Sequence, residues 1–360
     1  MTATEKPTEI DRARFEAFGD RMVGMLNDGC TALLVSIGHQ TGLFDALASA
    51  GAGTSEDLAE RARLNERYVR EWLGGLTVAG VIEFDPARST YLLPPEHAGW
   101  LTAEAGPNNL ARTMQFIPLL AQVEQEIVQC FREGGGLSYA QYPRFHALMD
   151  EDSRSFVDTA LVGSVVPLVD GLEERLRAGI DVADVGCGSG HAINVLAGEY
   201  PASRFVGFDF SEEAVGRAND ETRSLGLANT RFELCDVATL DRPEAFDLVT
   251  AFDAVHDQAH PGQVLAAIAR ATRPGGTFLM IDIKASSKVE ENLENPFAPA
   301  LYTISTMHCM TVSLGLGGDG LGTVWGRQLA TSMLHRAGFK DVQLRELDDD
   351  PFNDYYVCRK

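Results

Sequence analysis

The spacing of apolar residues changes along this chain, and each change marks a different kind of element. Phe15, Phe18, Met22 and Met25 recur at intervals of three and four, one face of a helix, and TALLVSIGHQTGLFDALA carries a second helix of the same kind. The dozen polar residues before them read as a loose tail. Thr54 or Ser55 can cap a short helix and Asn65 a longer one, while Val81 to Phe84 and Thr90 to Leu93 can pair around the turn DPARS. Residues 107–176 read mainly as helices, interrupted at EGGGLSYAQYP. After Ile180 come IDVADV, RFVGFD, TRFELCD, FDLVTAF and TFLMIDI, short apolar runs separated by helical stretches. That alternation predicts a parallel sheet buried on both faces, a doubly wound α/β domain. A segment from 285 to 326 interrupts the rhythm. GRQLATSMLHRAG then closes the chain as a helix, followed by DVQLREL and NDYYVCRK, near enough in sequence to pair antiparallel.

Three regions follow: residues 1–105, a helical connector over 106–176, and the α/β domain over 177–360 with its insertion at 285–326. Helix, turn, helix and hairpin is the winged-helix order, which raises the question of DNA. Between Thr54 and Trp100 five basic residues (Arg61, Arg63, Arg67, Arg70, Arg88) face eight acidic ones (Glu56, Asp57, Glu60, Glu66, Glu71, Glu83, Asp85, Glu96). A DNA reader has the opposite balance. The whole chain agrees: 30 Lys and Arg against 52 Asp and Glu give a net charge of -22, which repels nucleic acid and anionic lipid alike. The six cysteines contain no C-x-x-C pair, no run approaches the roughly 18 apolar residues of a membrane span, and MTATEKPTEIDRAR has no signal pattern. A soluble cytoplasmic protein with reduced thiols is expected.

The candidate chemistry begins at DVGCGSG, where Gly186, Gly188 and Gly190 alternate at a strand-to-helix turn. In a doubly wound sheet this turn borders the ligand. A dinucleotide fingerprint, G-x-G-x-x-G/A, fails here because its sixth position is His191. The pattern Asp-x-Gly-x-Gly-x-Gly instead resembles motif I of the class I S-adenosylmethionine-dependent methyltransferases. The series continues in order: VGFDF with Asp209 and Phe210, FELCDVATL with Asp236 and Val237, FDLVTAFDAVHD with Asp253, and RPGGTFLMID. The resemblance implies S-adenosyl-L-methionine as cofactor, with Asp184 holding its amino group, Asp209 its ribose hydroxyls, and Asp236 with Val237 the adenine edge. It also implies a seven-stranded sheet with an antiparallel last strand. Cys187, among the glycines, reads as a small apolar thiol packed under the turn.

The order of the domains resembles that of small-molecule O-methyltransferases, which dimerise through the N-terminal part, so a homodimer and a small-molecule acceptor are expected. Phe145 and Met149, in RFHALMDEDSRSF, are similar to the family's segment covering the cofactor; ordinary core packing is the alternative. In AVHDQAHPGQVL, His256-Asp257 matches the family's His-Asp-Trp except that Gln258 replaces the Trp. That resemblance makes His256 the base for an acceptor hydroxyl, with His308 the second candidate. His256 and His260, four apart with Asp253 and Asp257 nearby, could be imagined around a metal, but Pro261 opposes that geometry and no metal is expected. The insertion offers Phe297, Tyr302, Met307, His308, Met310 and Trp325 for an acceptor pocket or for packing. N-methylation of a small amine, and a winged-helix regulator sensing the cofactor, stay open as alternatives.

Overall fold

The computed structural model describes residues 10–360. Positions 1–9 of the expected tail lie outside the described residues. The chain divides into two compact units between Pro118 and Leu119, so most of the expected connector belongs with the second. Among the described residues no single helix is long and apolar enough to cross a membrane.

In the first unit, α1 (Arg12–Thr41) starts at Asp11, whose carboxylate accepts the Arg14 N–H, and runs through both predicted stripes as one helix. The break comes at Gly42, whose φ of 70° suits a residue without Cβ and turns its N–H back to the Gly38 and His39 carbonyls. Asn27 and Asp28, by contrast, each cost a helix only about 0.7 kcal/mol or less and do not end it. There follow α2 (Leu43–Ala50), α3 (Ser55–Ala62), fixed by a capping box between Thr54 and Asp57, and α4 (Glu66–Val78), capped by Asn65. The strands β1 (Glu83–Asp85) and β2 (Thr90–Leu92) pair with Phe84 opposite Tyr91. Val35, Phe44, Leu58, Trp72, Leu73 and Leu76 form the core. A Cβ on Gly38 would lie 2.6 Å from the rings of both Phe44 and Trp72, so the helices meet there only through glycine.

The second unit holds β3 (Asp181–Val185), β4 (Arg204–Asp209), β5 (Thr230–Leu234), β6 (Phe246–Phe252), β7 (Thr272–Ile283), β8 (Asp341–Arg345) and β9 (Asn353–Arg359). Their order is β5-β4-β3-β6-β7-β9-β8, and β9 runs antiparallel to both its neighbours. The two last strands pair as expected, but β9 also enters between β8 and β7. β7 absorbs the RPGG stretch: Gly275 has φ 75°, and the register with β6 jumps from Phe246–Thr272 to Leu248–Thr277. Alternate residues feed two cores. Ala183, Val185, Phe208, Val249, Phe278 and Met280 face one, and Val182, Phe205, Leu248, Leu279 and Ile281 the other. Each large apolar side chain so buried contributes roughly 1.5–3 kcal/mol. From β3 the chain proceeds outward to β4 and β5, then crosses to β6 on the other side, so a crevice opens at the carboxyl ends of β3 and β6.

Candidate active site

Gly186, Gly188 and Gly190, directly after β3, have φ of 67°, 52° and 76°. Two of them are also tightly packed. A Cβ on Gly186 would lie 2.6 Å from the Ala254 Cβ, and one on Gly190 2.5 Å from the Phe232 ring, whereas one on Gly188 would meet no protein atom within 4 Å. Gly188 is therefore where bare backbone borders open space. Its N–H donates to Asp209 Oδ2 at 2.9 Å, and the Ser211 N–H donates to Oδ1 at 2.8 Å, so Asp209 ties the turn to the end of β4. Cys187 packs beneath: its Sγ would lie 2.7 Å from a Cβ on Gly207 in β4, and burial pushes its thiol well up.

Asp184 lies within β3 between β4 and β6, 2% exposed, and accepts the Thr250 hydroxyl at 2.7 Å. Burial pushes its carboxyl up to about 7; the Thr250 bond opposes this and the Asp209 charge adds to it. A cation arriving beside it would favour the ionised form. At the end of β5, exposed Asp236 accepts the Ala238 N–H at 3.0 Å, while Val237 is buried in the core. Phe210 is 46% exposed. These residues occupy the carboxyl ends of neighbouring strands, as the sequence expects of a single site.

A latch secures the connector helix Phe145–Phe156 to the glycine turn. Ser189 donates to Asp150, and Arg154 reaches Glu221 at 2.6 Å. His191, the residue that broke the dinucleotide pattern, lies 2.7 Å from Asp158 and 3.0 Å from Glu221. Met149 is half-buried on this helix, and Phe145 turns its ring to His308.

At the end of β6, Asp253 adopts φ 52°, uncommon for a residue with a side chain. His256 follows, 2% exposed and surrounded by acids. Its Nδ1 is 2.9 Å from Asp282 Oδ1 and 3.6 Å from Asp253, and its Nε2 is 3.2 Å from Asp257. Asp282 Oδ1 also accepts the Trp325 indole N–H and the Ile283 N–H, both at 2.9 Å. Burial disfavours charge on this imidazole, but Asp282, Asp257 and Asp253 outweigh it and hold its pKa well above the ordinary range. The acids thus favour a proton on His256, while burial pushes the carboxyl of Asp253 itself up to about 7 against the pull of His256. Two overlapping sets, Asp253/His256/Asp282 and His256/Asp257/Cys309, bring ligand-type atoms within 4.8 Å. His260 joins neither; it lies half-buried near Asp319, at 3.6 Å.

His308 has the opposite surroundings. It is fully buried in a π-helical turn, Ser305–Cys309, stacked on Phe145 at 3.6 Å and meeting the edges of Tyr142 at 4.7 Å and Tyr139 at 5.5 Å. Neither ring nitrogen has a hydrogen-bond partner. Burial lowers its pKa to about 4, Asp257 pulling upward and His256 and His146 downward. The other insertion residues scatter: Phe297 packs on Phe352, Tyr302 is exposed, and Trp325 turns to Asp282. Asp282, Thr250, Ser189 and Tyr139 were missed in the sequence. Asp282 alone carried a signal, being a strand-end acid like Asp209 and Asp253.

Comparison with known proteins finds two family models that match parts of the chain. Residues 29–103 match a family described as the Rv2258c-like winged HTH domain, and residues 176–338 match a methyltransferase domain. A ubiquinone biosynthesis O-methyltransferase of Methylococcus capsulatus is 33% identical over 112 residues, 31% of this chain and 46% of the relative. The chain thus spans less than half the length of that relative. Among solved structures, mitomycin 7-O-methyltransferase superposes with a TM-score of 0.70 at 18% identity, covering 97% of this chain and 99% of that one. Human N-acetylserotonin methyltransferase, in complex with S-adenosylmethionine, gives 0.66 at 18%, covering 99% of each.

Proposed function

We propose that this chain, which joins a winged helix-turn-helix domain to a methyltransferase domain, transfers the methyl group of S-adenosyl-L-methionine to a small molecule, at oxygen. The observation that carries the reading is the arrangement at Gly188: backbone open to a ligand, flanked by the Asp209 carboxylate and by a buried Asp184 whose ionised form calls for a cation. The residues fit the cofactor. Asp184 would face its ammonium, Asp209 its ribose, and Asp236 with Val237 its adenine, with Phe210 and Asp253 at the rim. When bound, the cofactor supplies an electrophilic methyl on a sulfonium. Saturable calorimetric binding of S-adenosylmethionine, with NAD and NADP inert, is the expected result; binding of a dinucleotide instead would sink the reading.

His256 is the proposed base, with Asp282 fixing its Nδ1 and Trp325 fixing Asp282. An imidazolium accepts nothing, so His256 must first yield its Nε2 proton, and turnover should rise with pH through an inflection above 6.5. His256→Ala should lower kcat far more than cofactor affinity; equal losses would make it structural. The proton favoured on His256 supports a second reading, N-methylation, because a neutral amine needs less help from a base.

A homodimer and a cytoplasmic setting belong to the proposal. Along α1, Phe15, Phe18, Met22, Met25 and Leu26 are 47–67% exposed, an apolar face that a lone helix in water does not sustain. All six cysteines are free, as in a reducing compartment. The acidic winged-helix region supports neither nucleic acid nor an anionic membrane as partner.

A further inference from the structure

His308 poses a physical problem that the methyl-transfer reading leaves unsolved. A buried imidazole that makes no hydrogen bond gives up its hydration with nothing in return, and here both ring nitrogens are unpaired in a residue with no exposed surface. The other buried imidazole, His256, has acids around both nitrogens. The backbone at His308 widens into a π-helical turn, a distortion frequent at functional sites.

The surroundings define what could satisfy it. Phe145 covers one face of the imidazole, and Tyr142 and Tyr139 close in edge-on. Tyr142 is fixed, its hydroxyl donating to the Met307 carbonyl at 2.5 Å. Tyr139 continues the row of rings to Phe210 at 5.7 Å, the residue directly after Asp209. Burial first, and then the charges of Asp257, Cys309 and Asp209, push the Tyr139 hydroxyl well up, so it stays a neutral donor. The rings therefore form a continuous path from the ribose acid to His308.

The strap that carries them starts at a glycine turn and is anchored beside His308. Gly134 and Gly135 are both exposed with positive φ, and a Cβ on either would meet nothing within 4 Å. The next residue, Gly136, packs directly against the Thr311 and Gly315 backbone, and the Leu137 N–H donates to the Thr311 carbonyl at 3.2 Å, so the strap is fixed to the helical turn that follows His308.

We infer that His308 is the acceptor-binding residue: its unpaired nitrogens hydrogen-bond the rim of a flat, ring-bearing acceptor seated among Tyr139, Tyr142 and Phe145. This rests on the methyl-transfer reading and names its acceptor class. Flat molecules gain most from aromatic walls, and among the described residues the ring cluster's unpaired buried polar atoms are the two His308 nitrogens, so the acceptor presents a hydroxyl or ring N–H there.

The test uses the full chain with 2-naphthol and 7-hydroxycoumarin as flat probes and decahydro-2-naphthol as a puckered control. In wild type, both flat probes should shift one imidazole signal in the NMR spectrum, a signal absent from His308→Gln. Calorimetry should give affinity about tenfold weaker in His308→Phe, a partial recovery in His308→Gln, and about tenfold weaker binding of the control. S-adenosylhomocysteine affinity should stay unchanged in both variants. Equal probe affinity in wild type and His308→Phe would overturn the inference, as would failure of both flat probes to move the His308 signal. If His308→Phe does not fold, the wild-type titration and His308→Gln decide. Loss of S-adenosylhomocysteine binding in wild type would instead strike the methyl-transfer reading, and the NMR titration would still report on His308.

Discussion

His256 and His308 lie in the same unit, both inaccessible to water, yet their surroundings impose opposite states of charge. Around His256 three carboxylates outweigh the cost of burial and keep a proton on the ring. Around His308 there are rings, the nearest acid is too weak an influence to offset burial, and the imidazole stays neutral to about pH 4. Burial alone therefore does not set the protonation of a histidine; the charges buried with it decide the sign. In the proposed reading the glycine-turn side receives the cationic cofactor and the ring side a neutral, flat acceptor.

The largest expected effect separates the two histidines by pH. A histidine whose folded pKa is depressed is neutral in the native state while the unfolded chain takes up a proton, so His308 should withdraw stability as pH falls from about 6.5 towards 4, by about 3 kcal/mol. His256 has the reverse sign. Its raised pKa contributes stability in full below about 6.5 and loses it as pH rises through the folded value. Urea denaturation across pH should show the acid loss shrink in His308→Gln and the alkaline loss shrink in Asp282→Asn. If both variants change the same limb, the contrast is wrong.

A smaller effect sharpens the division between the two halves. Asp209→Ala removes the acceptor of the Gly188 and Ser211 N–H groups and the proposed ribose partner. Charge-assisted bonds of this kind are worth about 1.5–3 kcal/mol, so S-adenosylmethionine affinity should fall roughly tenfold to hundredfold in calorimetry. Probe binding at His308 should be unaffected. The smallest is Trp325→Phe, which keeps the ring and deletes one hydrogen bond to Asp282. It should cost about 1 kcal/mol in urea denaturation and, because the indole N–H no longer damps the Asp282 charge, raise the pH at which His256 loses its proton.

The same contrast governs what could be read in advance. The glycine side is local: a strand, a turn and strand-end acids, each contiguous in sequence, and the strands were legible because both faces of each are buried. The ring side is assembled from Tyr139, Tyr142, Phe145 and His308, with more than a hundred and sixty positions between Tyr142 and Met307, and no spacing rule links them. Asp282 and Trp325 likewise meet across 43 positions. The helix boundary at Gly42 was misplaced for a different reason: apolar spacing continued on both sides, and only the backbone angle of that glycine ends α1.

The place of β9 has a consequence for how the chain is made. It lies between β7 and β8, although both precede it in synthesis. From the emergence of Ile283 until Asn353 arrives, the β7 edge, with Phe278, Leu279, Met280 and Ile281, has no neighbour on that side. At roughly 5–20 residues per second the ribosome leaves this edge open for several seconds. During that interval it is a template for pairing with another nascent chain. Slower translation of the 284–352 region, or withdrawal of chaperones, should therefore reduce soluble yield without altering the stability of the molecules that do fold.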